Sequence, residues 1–166
     1  MNLVELLLPE FDLEMANTRR LLESLPQDKL DWRPYEKSWT LAGLATHILM
    51  IPHWGTVTFT TDSFDLPEGG GPRNEPVASV AEALERFDAH VAEVRPVLAD
   101  QRDGQLEAEW SMSVGGRPLF SRPRHAVWRG MILNHLIHHR GQLSVFLRLA
   151  EAPLPGIYGP TADDRI

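Results

Sequence analysis

The sequence predicts an all-α protein, a four-helix bundle with a long crossover loop and a short extended excursion before the last helix. Three observations point there. Four stretches carry apolar residues at three-to-four-residue spacing, the repeat that lines one face of an α-helix. A run rich in Pro, Gly and Asp separates the second stretch from the third over residues 60–76. The length, 166 residues, is that of one ordinary domain, taken here as 1–166. Four helices with one long connection suit an up-down-down-up arrangement or a close variant of it.

The first helix is read from Leu3, Leu7, Phe11, Met15 and Leu21-Leu22, ends before Pro26, and is expected to bend at Pro9. Ser38 is the N-cap candidate of the second, whose stripe Leu44, His47 or Ile48, Ile51 and Trp54 runs toward residue 59 with a kink expected at Pro52. Residues 60–76 hold Asp62, Asp65, Pro67, Gly69-Gly70-Gly71, Pro72 and Pro76, a composition that predicts loop and neither helix nor strand. Ser79 and Glu82 have capping-box spacing, and Ala83, Leu84, Phe87, Val91, Val94 and Leu98 carry a third helix to Asp100. Over residues 106–120, Trp110, Met112 and Val114 alternate with Ser111 and Ser113 before Gly115-Gly116, which predicts a short hairpin. Ser121 is then the cap candidate of the fourth helix, with Pro123 in its first turn and an apolar band from Val127 and Trp128 to Phe146 and Leu147, ending at Ala150. The last fourteen residues, with Pro153, Pro155, Gly156, Gly159 and Pro160, form an irregular tail in which Asp163-Asp164 reads as solvated.

Composition removes whole classes of function. Hydrophobic residues make up 43% and charged residues 23%, as in an ordinary globular protein rather than a disordered chain. Sixteen Lys and Arg face twenty-three Asp and Glu, a formal charge of −7 that argues against nucleic acid and anionic membranes as partners. The apolar run after Met1 is broken by Glu5 and closed by Pro9, too short for a signal or membrane segment, so a cytoplasmic setting is expected. Without cysteine there is no disulfide, thiolate ligand or cysteine nucleophile, and any metal must rest on His, Asp or Glu.

The histidines carry the chemical signal. Three of the seven, His135, His138 and His139, fall within five residues. Side chains four apart on a helix lie on one face, so His135 and His139 can point two imidazoles at one ion. His138 falls on a more polar flank with Asn134 and Gly141, so His139 is favoured over it. A third ligand is wanted from another helix, and His47 in the second stripe offers it, with His53 as the alternative. Three histidines leave coordination positions open, the arrangement of a catalytic rather than a structural site. His90 and His125 read as solvent-exposed without a site role. Trp39, Trp54 and Trp128 read as core or pocket wall, with Trp54 expected in the wall of the site.

The segment Asn134-His135-Leu136-Ile137-His138-His139-Arg140-Gly141-Gln142-Leu143, with Ser38-Trp39-Thr40 leading into Ala45-Thr46-His47-Ile48, resembles the DinB-like (DinB/YfiT) family of small bacterial proteins. The ending Tyr158-Gly159-Pro160-Thr161-Ala162-Asp163 is similar to a common family ending, and the resemblance spans essentially the whole chain. It implies a four-helix bundle in which a divalent metal is held by His47, His135 and His139, and a frequent homodimer. It also implies small-molecule chemistry such as thiol-dependent transfer, isomerisation of small acids or hydrolysis, but not which substrate, because the loop and the excursion are where members vary.

Two functional readings are open. In the first, the protein is a metalloenzyme, a thiol-dependent transferase or hydrolase, whose ion acts as a Lewis acid on a small-molecule substrate or a low-molecular-weight thiol. Zinc and nickel are the foremost ions, with iron and manganese as alternatives. Glu14 and His138 are candidate acid-base groups that spacing does not choose between, so no catalytic residue is assigned. In the alternative, the chain is a non-catalytic dimeric metal-binding or small-ligand-binding module. A homodimer is also expected from Leu133, Leu136, Leu143 and Leu147, which extend over more than the one face a single bundle is expected to cover.

Overall fold

Asn2 opens the first helix by accepting a hydrogen bond from the Glu5 amide at 2.9 Å, while Glu5 accepts one from the Asn2 amide. The computed structural model describes residues 2–70 and 74–164. Helix α1 (Leu3–Glu23) is continuous through Pro9 and buries Phe11, Met15, Leu21 and Leu22. A single 3₁₀ turn (Gln27–Lys29) leads toward α2 (Leu41–Thr60), which also continues through its proline, Pro52. Thr40 caps α2, accepting from the Gly43 amide at 3.0 Å, and the expected cap Ser38 lies outside the helix. Helix α3 (Val80–Ala99) starts at Ser79, whose hydroxyl accepts from the Glu82 amide.

The chain is mostly helical but not all-α. Strand β1 (Ser63–Leu66) lies inside the run read as loop. It pairs in parallel with β2 (Glu109–Val114), which pairs antiparallel with β3 (Arg117–Pro123). Parallel pairing with a strand more than forty residues away satisfies the backbone of β1, so a turn-rich composition does not exclude a strand there. Gly71 and Pro72 of the same run lie outside the described residues. The expected hairpin is present with its turn at Gly115-Gly116, both at positive φ.

A short helix α4 (Asp103–Glu107) precedes β2, and β3 extends through Ser121 to Pro123. Ser121 is therefore a strand residue, bonded to Ser111 and Glu109, rather than a helix cap. The last helical run begins as α5 (Arg124–Val127), widens into a π-helical stretch (Trp128–Asn134), and continues as α6 (His135–Leu149). Each inserted residue rotates the remainder of the helix by about 100°, so a 3.6-residue face cannot be carried unchanged from Trp128 to His135.

One core joins α1, α2, α3 and the last helical run. Gly55 lets them meet: a Cβ there would stand 2.6 Å from Trp128 and 2.8 Å from Val94. Leu133, Leu136, Leu143 and Leu147 are each 0% exposed within the single chain, which corrects the reading that a second copy is needed to cover them. Beneath the sheet, Trp110, Met112 and Val127 form a smaller cluster, and Trp54 packs edge-on against Phe64 of β1. Arg124, nearly buried, donates to the carbonyls of Thr58 and Thr61 and pairs with Asp62, closing the C-terminus of α2.

Among the described residues the tail contains neither helix nor strand, yet its acids are engaged. Asp163 pairs with Arg148 and accepts from the Leu154 amide, contacts that hold its carboxyl below the usual range, and Asp164 accepts from the Thr161 amide. Among the described residues no helix is long and apolar enough to cross a membrane.

Candidate metal centre

Helix α2 presents His47 and α6 presents His135 and His139 to the same point. Their nearest ring nitrogens lie within 4.8 Å of one another, the one group of three or more metal-ligand side chains so placed among the described residues. His47 Nε2 and His135 Nε2 are 3.1 Å apart. Two imidazole nitrogens on one tetrahedral ion at about 2.1 Å would sit about 3.4 Å apart, so the donor set fits a divalent cation once the rings adjust slightly.

Tautomers follow from the second contacts. A carbonyl oxygen can only accept, so His135 Nδ1, 3.2 Å from the Met131 oxygen, carries a hydrogen and Nε2 keeps its lone pair. His139 Nδ1 donates in the same way to Gln142 Oε1 at 2.8 Å, and the Gln142 amide nitrogen donates to His138 Nε2 at 3.1 Å. Ligating histidines carry such second contacts, which fix ring orientation. Burial pushes the pKa of all three down, that of His47 to about 4, with the neighbouring histidines adding to it. The rings are therefore neutral near pH 7, the protonation state a metal ligand requires.

His138 is exposed and outside the group, and His53 faces Glu93 and the ring of His90 instead. His90 and His125 are half-buried rather than exposed, and His90 Nδ1 donates to the Leu49 carbonyl. Glu14 is withdrawn into a buried ion pair with Arg140 at 2.5 Å and accepts from the Tyr158 hydroxyl, so it is not a free base.

A cleft of about 440 Å³ opens beside His139 between Trp39 and Leu44 on one side and Gln142, Val145 and Phe146 on the other. The wall expected from Trp54 is supplied by Trp39, which lies near-parallel to His139 at 5.9 Å and edge-on to His47 at 4.7 Å. Sequence reasoning alone does not single out Trp39 as this wall, nor Gln142 as the orienting partner of His139. The three-residue spacing from His139 to Gln142 is the signal that could have found the second.

Comparison with known proteins agrees with this architecture. Over 163 residues the chain is 27% identical to the uncharacterized protein YrdA of Bacillus subtilis (strain 168), covering 95% of this chain and 89% of YrdA. Its fold is similar to a DinB-like protein from Bacillus cereus ATCC 10987, with TM-score 0.70, 24% identity, and coverage of 91% of this chain and 95% of that one. It is also similar to the DinB-like protein YjoA of Bacillus subtilis, with TM-score 0.67, 19% identity, and coverage of 90% and 96%. The family model of the DinB superfamily matches residues 10–143, most of the chain, and the chain therefore belongs to the DinB superfamily.

Proposed function

We propose that the protein binds a divalent metal through His47, His135 and His139 and acts on a small molecule there, as a thiol-dependent transferase or a hydrolase. The observation that supports this most is the convergence of the three rings on one point, with the Nε2 atoms of His47 and His135 in close approach. Zinc or nickel is the ion proposed first, since imidazole donors suit both. When bound, such an ion supplies Lewis acidity that favours the deprotonated form of a water or thiol.

The chain's own residues do the rest. Met131 and Gln142 orient two ligands, burial keeps the rings neutral, and Trp39 and Phe146 line the approach. Among the described residues the cleft lining contains no carboxylate, so the general base stays unassigned. A homodimer and a cytoplasmic setting belong to the same proposal, with the exposed Leu6 and Leu13 of α1 as apolar surface a second copy would cover.

The test is elemental analysis of protein purified without a nickel column, followed by calorimetric titration of zinc into metal-free wild type, His47→Ala and His135→Ala. One ion per chain in the wild type, lost in both variants, supports the reading. Equal uptake by the variants overturns it.

A further inference from the structure

We propose that the cleft beside the three histidines selects a small uncharged ligand with one metal-seeking donor on an apolar body, and that Trp39, Val145 and Phe146 recognise that body. This deepens the metal-site reading and rests on it.

His139 belongs both to the triad and to the cleft lining, so the cleft borders the three-histidine site. Among the described residues, no Lys, Arg, Asp or Glu lines the cleft. A charged body held there would lose water and meet no opposite charge, only the neutral side chains of Ser38 and Gln142, a cost that disfavours charged bodies. Trp39 and Val145 instead leave large apolar surface in water, 46% and 57% exposed, where a ligand would cover it. The rise along α6 from His139 to Phe146 is about 10 Å. A ligand whose donor reaches the ring nitrogens can therefore lay a chain of several carbons along Val145 and Phe146, with Trp39 as the opposite wall. The cleft volume falls in the size class of small-ligand sites.

The probe is a series of straight-chain alkyl hydroxamic acids of two to eight carbons, titrated calorimetrically into zinc-loaded protein. Affinity should rise about two- to fourfold per methylene until the cleft is filled. An analogue of equal length ending in a carboxylate should bind at least about tenfold more weakly, the equivalent of about 1.4 kcal/mol. Val145→Asp, on an exposed position away from the rings, should flatten the series while zinc stoichiometry stays unchanged. Affinity independent of chain length, or an equally tight carboxylate, overturns the proposal.

If zinc does not load, the metal reading fails separately, and the cleft is judged on metal-free protein by the indole N–H resonance of Trp39. The eight-carbon probe must shift that resonance and the two-carbon probe must not, and any other pattern overturns the proposal. Sedimentation in which the longest probe splits a dimer would assign this face to a second copy and overturn it too.

Discussion

The guanidinium of Arg140 meets the carboxylate of Glu14 at 2.5 Å, with the two side chains only 3% and 7% exposed. Arg140 also donates to the Glu14 carbonyl, to the Thr18 hydroxyl and to the Tyr158 hydroxyl, which in turn donates to the carboxylate. Arg140 is the next residue after His139, so the same turn of α6 holds α1 and the C-terminal tail on one side and presents His139 to the candidate metal centre on the other. Burial, with Glu14 next to it, pushes the pKa of the Tyr158 hydroxyl up.

Removing one member of that pair should destabilise far more than the pair itself stabilises. Glu14→Ala leaves a buried guanidinium uncompensated and is expected to cost about 3–5 kcal/mol. Tyr158→Phe removes a hydrogen bond to a charged group and should cost about 1.5–3 kcal/mol. Urea unfolding of both variants checks this, and a smaller loss in Glu14→Ala than in Tyr158→Phe would refute it.

Gly55→Ala should cost about 1–3 kcal/mol from overpacking, because the new methyl would press on Trp128 and Val94 inside the closed core. Gly104→Ala, at a helical position with open space around it, is the matched control and should be near neutral or stabilising. Thermal unfolding of the two variants side by side measures the difference.

Zinc affinity should separate the neighbours of the site. His139→Ala is expected to abolish stoichiometric binding, and His138→Ala to leave most of it. Gln142→Ala, which frees the Nδ1 of His139, should weaken binding about 10–100-fold. A Gln142→Ala titration superimposable on the wild type would remove the orienting role.

Acid should act on the metal-free fold through the same rings. Their pKa values lie below the ordinary value near 6.5, that of His47 at about 4, so between those limits the unfolded chain binds more protons than the native one. The stability that neutral burial contributes is present above pH 6.5 and lost as pH falls toward 4. Melting temperature in chelator should drop across this window, and His47→Asn should flatten the drop. Metal occupancy, expected from reference values to fail near pH 6.5, should persist lower because the rings give way to protons later.

The parts of the fold legible in the sequence are those with local signals. The 3.6-residue stripes locate α1, α2 and α3, and the four-residue spacing of His135 and His139 locates two of the three histidines of the site. Strand β1 stays hidden because Ser63 to Leu66 is short, turn-flanked and stabilised by partners on β2, a pairing no local pattern records. Ser38 and Thr40 carry the same hydroxyl chemistry, and only the position of the Gly43 amide separates them. The four leucines of the last helical run look surplus because a stripe does not say how many neighbours cover it. Trp54 suggests itself for the site by its place on α2, whereas the segment ahead of that helix folds Trp39 over the rings.

Three nitrogens from two helices are proposed to share one ion, and anomalous diffraction at the zinc edge from zinc-loaded crystals is the decisive measurement. One peak about 2.0–2.2 Å from ring nitrogens of His47, His135 and His139 together is the expected result. A peak held by any other set of side chains, or no ordered peak between α2 and α6, would contradict it.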